Sequence, residues 1–159
     1  MTDPETAPGH EVKNPDAILV APLSAPEFEQ QVHELRNEYE DALVVKFRGT
    51  KMRTMTHMFD EVGAALQLPW YFGENWSALY DCLNDIEPAD VLLMVSDAHL
   101  VLDQEDPRSL GSFVDVIVEM HDQSAPGAGS FRAILQAPPD AASTLWDRLT
   151  AAGHAVVAR

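Results

Sequence analysis

The stretch LPWYFGENWSALYDCLNDI, Leu68 to Ile86, passes from the end of one helix, through a short aromatic loop, into another. Leu68-Pro69 stops the first helix, because a residue before proline avoids the helical region. Trp70 to Gly73 forms the loop, where glycine permits a tight turn. Asn75 is of the residue type that caps a helix start. Trp76, Leu79, Leu83 and Ile86 recur at intervals of three and four, the spacing of a buried helix face. Positions 77, 81 and 85 then share another face, so Ser77, Asp81 and Asp85 point outward with Tyr80 beside them.

On either side, helical and extended patterns alternate. Upstream, Thr54 can cap a helix whose inner face is Met55, Met58, Phe59, Val62 and Leu66. Before it, Ala42 to Arg48 (ALVVKFR) is β-branched and aromatic and reads as a strand. Further back lie a short strand, Ala17 to Ala21, and a helix capped at Ser24 with Phe28, Val32, Leu35 and Tyr39 inward. Downstream, Val91 to Val95 (VLLMV) has the continuous apolar pattern of a strand buried on both sides of a parallel sheet. Leu110, Phe113, Val114, Ile117 and Met120 mark a helix, and a loop from Ser124 to Ser130 leads to the strand Phe131 to Gln136. A helix at Leu145, Trp146 and Leu149 and a strand from Ala155 to Ala158 close the chain. The expected fold is therefore α/β, a small and mainly parallel sheet with right-handed crossovers and helices packed against it. Residues 15–159 are expected to form a single domain after a flexible tail over residues 1–14.

The chain has 159 residues and a formal net charge of −16. That balance argues against nucleic acid as a direct ligand, since phosphate binding needs lysine and arginine. Between Arg53 and Arg108 there is no basic residue and there are eleven carboxylates, while four of the ten basic residues cluster at Lys46, Arg48, Lys51 and Arg53. The acidic stretch is either a solvated surface or a field that steers a positively charged partner. No apolar run reaches the ~20 residues of a membrane span. The polar start of the chain does not resemble a signal peptide, which points to the cytoplasm. Cys82 stands alone and suits a reducing compartment; it is a nucleophile or, on the simpler reading, a small core residue.

Catalytic patterns are missing. The histidines at 10, 33, 57, 99, 121 and 154 are scattered and make no metal-ligand spacing. The glycines match neither a phosphate loop nor a dinucleotide fingerprint, and there is no G-x-S-x-G elbow. Asp81 and Asp85 could form an acid–base pair, but carboxylates one turn apart usually mark a solvated helix face. The expectation is a binding protein rather than an enzyme, with no cofactor and no metal.

The central stretch resembles the barstar family, intracellular inhibitors of barnase-type ribonucleases. The residues that carry the likeness are Pro69, Tyr71, Phe72, Gly73, Glu74, Asn75, Ala78, Leu79, Asp81, Cys82 and Leu83. The order of elements extends it to about residues 42–137, leaving the N-terminal strand–helix and the C-terminal helix–strand as additions. The resemblance implies three parallel strands with helices beside them. It also implies a partner-binding surface of Tyr71, Phe72, Gly73, Asn75, Ser77, Tyr80, Asp81 and Asp85, with Asp81 taking the place of a substrate phosphate in a basic ribonuclease. Tyr80 stands where the family has tryptophan. Ser77 stands where its prototype has aspartate, which removes one charge from that face. The acidic contact that the family supplies from its third core helix has two candidates, Asp115 and Glu119. The implied partner is a basic ribonuclease or related toxin, not a nucleic acid, a membrane or a small-molecule substrate. The alternative is an immunity or interaction protein of the same fold with a different toxin or regulatory partner.

Overall fold

Five parallel strands form one sheet in the order β2-β3-β4-β1-β5: β1 is Ile18–Pro22, β2 Leu43–Arg48, β3 Val91–Ser96, β4 Phe131–Ala137 and β5 Val157–Ala158. The computed structural model describes residues 17–69, 72–86, 90–123 and 130–154, and the backbone of 157–158. The expected tail, Tyr71, most of the loop from Ser124 to Ser130, and Ala155 and Val156 lie outside the described residues. The helices are α1 (Ala25–Glu38), α2 (Met55–Leu66), α3 (Trp76–Asn84), α4 (Arg108–Asp122) and α5 (Ala142–Ala151).

The α/β expectation holds, and the strand registers explain how the helices divide. Val45, Phe47, Leu93, Val95, Ala133 and Leu135 alternate onto one face, where α2 to α5 pack in a single core. Val44 and Met94 point to the other face and meet Phe28 and Val32 of α1. The connection through α1 crosses the sheet in one direction and those through α2 to α5 in the other. Right-handed crossovers therefore put them on opposite faces. The family-like strands β2, β3 and β4 are neighbours, and the terminal additions supply β1 and β5 beyond β4.

Local signals act largely as expected. Ser24 and Glu27 form a reciprocal capping box at the start of α1. Thr54 accepts from the His57 amide, and Glu105 takes the Met55 amide at 2.7 Å, so two free donors at the start of α2 are used. Two details differ. Tyr39 caps the end of α1 and is 49% exposed instead of lying on its inner face. The end of α2 is made by Gln67 in the left-handed conformation (φ 54°), with the Leu68 amide bonded back to the Gly63 carbonyl; Pro69 comes after the stop.

The basic cluster is largely consumed internally. Lys46 pairs with Glu29, Arg48 with Glu61 at 2.8 Å and Arg53 with Asp103 at 2.6 Å. Arg36 donates to the Val44 carbonyl and Glu61 accepts the Arg48 amide, so side chains cover parts of the open edge of β2. Gly49 follows β2 because a Cβ there would lie 2.3 Å from the Asp97 carbonyl oxygen.

Candidate partner-binding site

Helix α3 reaches toward the amino ends of the strands. Its neighbour α4 ends there, since His121 Nδ1 lies 2.9 Å from the carbonyl oxygen of Phe131, the first residue of β4. Tyr80 of α3 reaches the same end of α4, where its hydroxyl accepts from Gln123 Nε2. The usual ligand crevice of an open α/β sheet lies at the opposite, carboxyl end. Here that crevice holds the Gln136 side chain, fully buried, which accepts the Asp97 amide at 2.7 Å and donates to the Leu23 carbonyl at 2.6 Å. The turn after β1, Pro22-Leu23-Ser24-Ala25-Pro26, has no glycine and no lysine to cradle a phosphate.

Asn75 organises the face. Its side-chain oxygen accepts the Ala78 amide at 2.8 Å and its amide nitrogen donates to the Gly73 carbonyl at 3.1 Å. One residue thus starts the helix and ties down the loop. Glu74 between them adopts φ 49°, a left-handed conformation that costs a non-glycine residue about 1 kcal/mol.

The helix divides its residues as its periodicity requires. Leu79 and Leu83 are buried, and Trp76 packs edge-on to Phe59 with centroids 5.2 Å apart. Phe72 also turns inward, 5.9 Å from Phe59 and against Gly63, so most of its ring serves the core. Tyr80 is half-buried. Gly73, Asn75, Ser77, Asp81 and Asp85 are exposed. Among the described residues Asp81 and Asp85 have no ion-pair partner, in contrast to Glu61 and Asp103. Hydrogen bonds from Arg48 and Arg53 hold the Glu61 and Asp103 carboxyls below the ordinary range. Cys82 is only partly buried; burial, followed by the Asp85 and Asp81 charges, pushes its thiol up, away from a reactive thiolate.

Of the two acidic candidates on α4, Asp115 is engaged by His154 Nε2 at 2.7 Å, a contact made by the C-terminal addition. Glu119 is exposed, one turn further toward the Tyr80 end. Glu61 and Gln136 are the buried polar residues among those described; Gln136 stands out locally as a polar residue in an apolar strand, whereas Glu61, next to Asp60, carries no such signal.

A family model described as Barstar (barnase inhibitor) matches residues 42–136. The chain belongs to the barstar family. This is an inhibitor family, and the match spans β2 to β4 and the whole α3 face. No curated protein sequence matches this chain. Among solved structures the fold is similar to Cdc6p from Pyrobaculum aerophilum, at 19% identity and a TM-score of 0.56 over 92% of this chain and 40% of that one. It is also similar to a chain of Drosophila ORC bound to AT-rich DNA and Cdc6, at 12% identity and a TM-score of 0.53 over 92% and 49%. The Aeropyrum pernix ORC2 protein, in ADPNP–ADP complexes, matches at 12% identity and a TM-score of 0.55 over 89% and 39%. This chain thus spans between about two fifths and half of those chains. At such identities the likeness is one of fold. It takes in the terminal additions that surround the barstar region. No helix among the described residues is long and apolar enough to cross a membrane.

Proposed function

We propose that this barstar-family chain inhibits a basic, barnase-type ribonuclease in the cytoplasm by covering its active site, with Asp81 entering the cationic pocket that holds substrate phosphate. The observation that carries the reading is Asp81 itself: exposed, without an ion-pair partner among the described residues, and mounted on a helix locked by Asn75 and by the buried Leu79 and Leu83. A carboxylate not engaged in an internal ion pair is available to a guanidinium or ammonium of the partner. A rigid mounting lowers the ordering cost of binding. Tyr71, Phe72, Gly73, Asn75, Ser77, Tyr80 and Asp85 complete the proposed contact region; Phe72 and Asn75 serve it mainly by shaping the loop. Unpaired carboxylates over this face steer a cationic partner, so association is expected to be fast and to slow steeply with salt. Titrating a purified barnase-type ribonuclease with the protein tests the proposal: inhibition ending at one-to-one stoichiometry supports it, and full ribonuclease activity in excess protein refutes it.

Ser77 favours a second reading. With a hydroxyl where the family prototype has a carboxylate, the face matches a partner with one fewer cation, so the target would be a different toxin. Recovery of a partner other than a ribonuclease from the native host, lost with Asp81→Ala, would establish that alternative.

A further inference from the structure

We propose that the groove between the carboxyl end of β2 and the flank of α2 binds the phosphate group of a small anionic ligand. None of its residues belongs to the proposed ribonuclease-binding face, so the two sites can be tested apart. The groove has a volume of about 530 Å³, within the roughly 300–1,000 Å³ of small-ligand sites. Arg48 ends β2, the turn Gly49–Lys51 brings Thr50 and Lys51, and α2 contributes His57, Asp60 and Glu61. Open α/β sheets bind their ligands beyond the carboxyl ends of the strands. The turn after β1 offers a ligand no lysine, whereas the turn after β2 does.

Two cations in the groove keep donors that the fold does not use. The buried Glu61 carboxylate accepts from the Arg48 amide, Nε and Nη2 at 2.8–2.9 Å. These bonds fix the plane of the guanidinium and leave Nη1 without a partner among the described residues. Lys51 is exposed and has no hydrogen-bond or ion-pair partner among them either. Its ammonium is near enough to act on the same carboxyl. Glu61 is held below its ordinary range first by the hydrogen bond from Arg48, and the charge of Lys51 adds to that. A clamped arginine edge beside a free ammonium suits a phosphate, whose oxygens accept from both. The Thr50 hydroxyl and the His57 ring supply further donors at the rim.

The charge balance limits the ligand to a small one. Arg48 offsets Glu61, and Asp60 opposes an anion from the helix side. The net charge of −16 repels it as well, but at physiological salt charges more than ~8 Å away are largely screened. Binding is therefore decided locally, by Arg48 and Lys51 against Asp60. A nucleic-acid strand would need cations beyond the groove, where the surface is acidic.

The test is an NMR titration of the full chain with inorganic phosphate and with a nucleoside monophosphate, replacing chloride at fixed pH and ionic strength. Saturable shifts confined to the amides of residues 48–51 and 57–61 are expected. Lys51→Ala should weaken binding roughly tenfold or more, as the loss of a charge-assisted hydrogen bond, and Asp60→Asn should strengthen it severalfold. Both positions are exposed, so neither substitution should alter melting. Tighter binding of the nucleotide would support an organic phosphate ester as the ligand, and equal binding would support the free ion. Absence of saturable shifts, or binding unchanged by Lys51→Ala, would overturn the site.

Discussion

Removing the Asn75 side chain would disconnect the helix start from the loop in one step. Asn75→Ala takes away the cap on the Ala78 amide and the tether to the Gly73 carbonyl. Loss of a cap costs about 1 kcal/mol. The tether is an exposed neutral hydrogen bond and adds roughly 0.5 kcal/mol, at the low end for such bonds. A total of about 1.5 kcal/mol lowers the melting temperature of a domain this size by roughly 3–6 °C. Asn75→Asp separates the contributions, because aspartate caps equally well but cannot donate to the Gly73 carbonyl. It should retain most of the stability while freeing the loop. Thermal unfolding followed by circular dichroism gives the stabilities, and dissociation rates from a ribonuclease partner report loop order. If Asn75→Ala melts within about 1 °C of wild type, Asn75 does not hold the helix start, and this account of the site's rigidity fails.

Other perturbations probe the scaffold. Glu61→Gln should destabilise the protein by about 1–2 kcal/mol near neutral pH, since it weakens the bonds that Arg48 makes to a buried carboxylate. Because the folded Glu61 carboxyl lies below its ordinary value, its stabilising contribution is complete above that value and lost as pH falls through the depressed one. The gap between wild type and variant in urea unfolding should therefore shrink on acidification below about pH 4.3, and a constant gap would contradict the pairing. Gly49→Ala drives a Cβ against the Asp97 and Ser96 carbonyl oxygens and should cost about 3 kcal/mol or more, measurable as a lower urea midpoint. We propose that residues 15–159 fold as one unit. A fragment of residues 42–137 loses Ile18, Val20, Phe28 and Val32, all nearly fully buried. Their burial is worth, as an upper bound, on the order of 6–12 kcal/mol, so the fragment should show no cooperative unfolding transition by calorimetry.

Elements were legible in the sequence wherever one local rule governed them. Ser24, Thr54 and Asn75 mark helix starts through side chains that reach amides three residues on, so a short window suffices. The VLLMV run shows burial on both faces because α1 and the other helices do cover both. Tyr39 continued the helical spacing of Phe28 and Val32, but α1 ends before it and the turn carries it outward. The end of α2 depended on a left-handed glutamine, a conformation that residue type does not announce. Sheet order was not legible either. Placing β1 between β4 and β5 depends on contacts such as Ile18 beside Ala133, more than a hundred residues apart in the chain. Separation along the chain also hides the role of the basic cluster. Arg53 finds Asp103 fifty residues away, so the clustering of the four cations does not disclose what each one pairs with. In the site, the outward face of α3 followed from periodicity. The inward turn of Phe72 and the capture of Asp115 by His154 depended on packing between distant segments.

The most direct test of the central claim is the affinity of Asp81→Ala and Asp81→Asn for a barnase-type ribonuclease that the wild type inhibits, measured beside their thermal stability. Asp81 is exposed and has no ion-pair partner among the described residues, so neither variant should lose fold stability. A hot-spot carboxylate should cost several kcal/mol of binding, roughly a hundredfold or more in Kd. That rank among contacts comes from the founding member of the family, not from this chain. Loss of inhibition with melting unchanged is the predicted result. Equal inhibition by wild type and both variants would show that Asp81 does not enter the ribonuclease pocket, and the phosphate-mimic mechanism would be wrong.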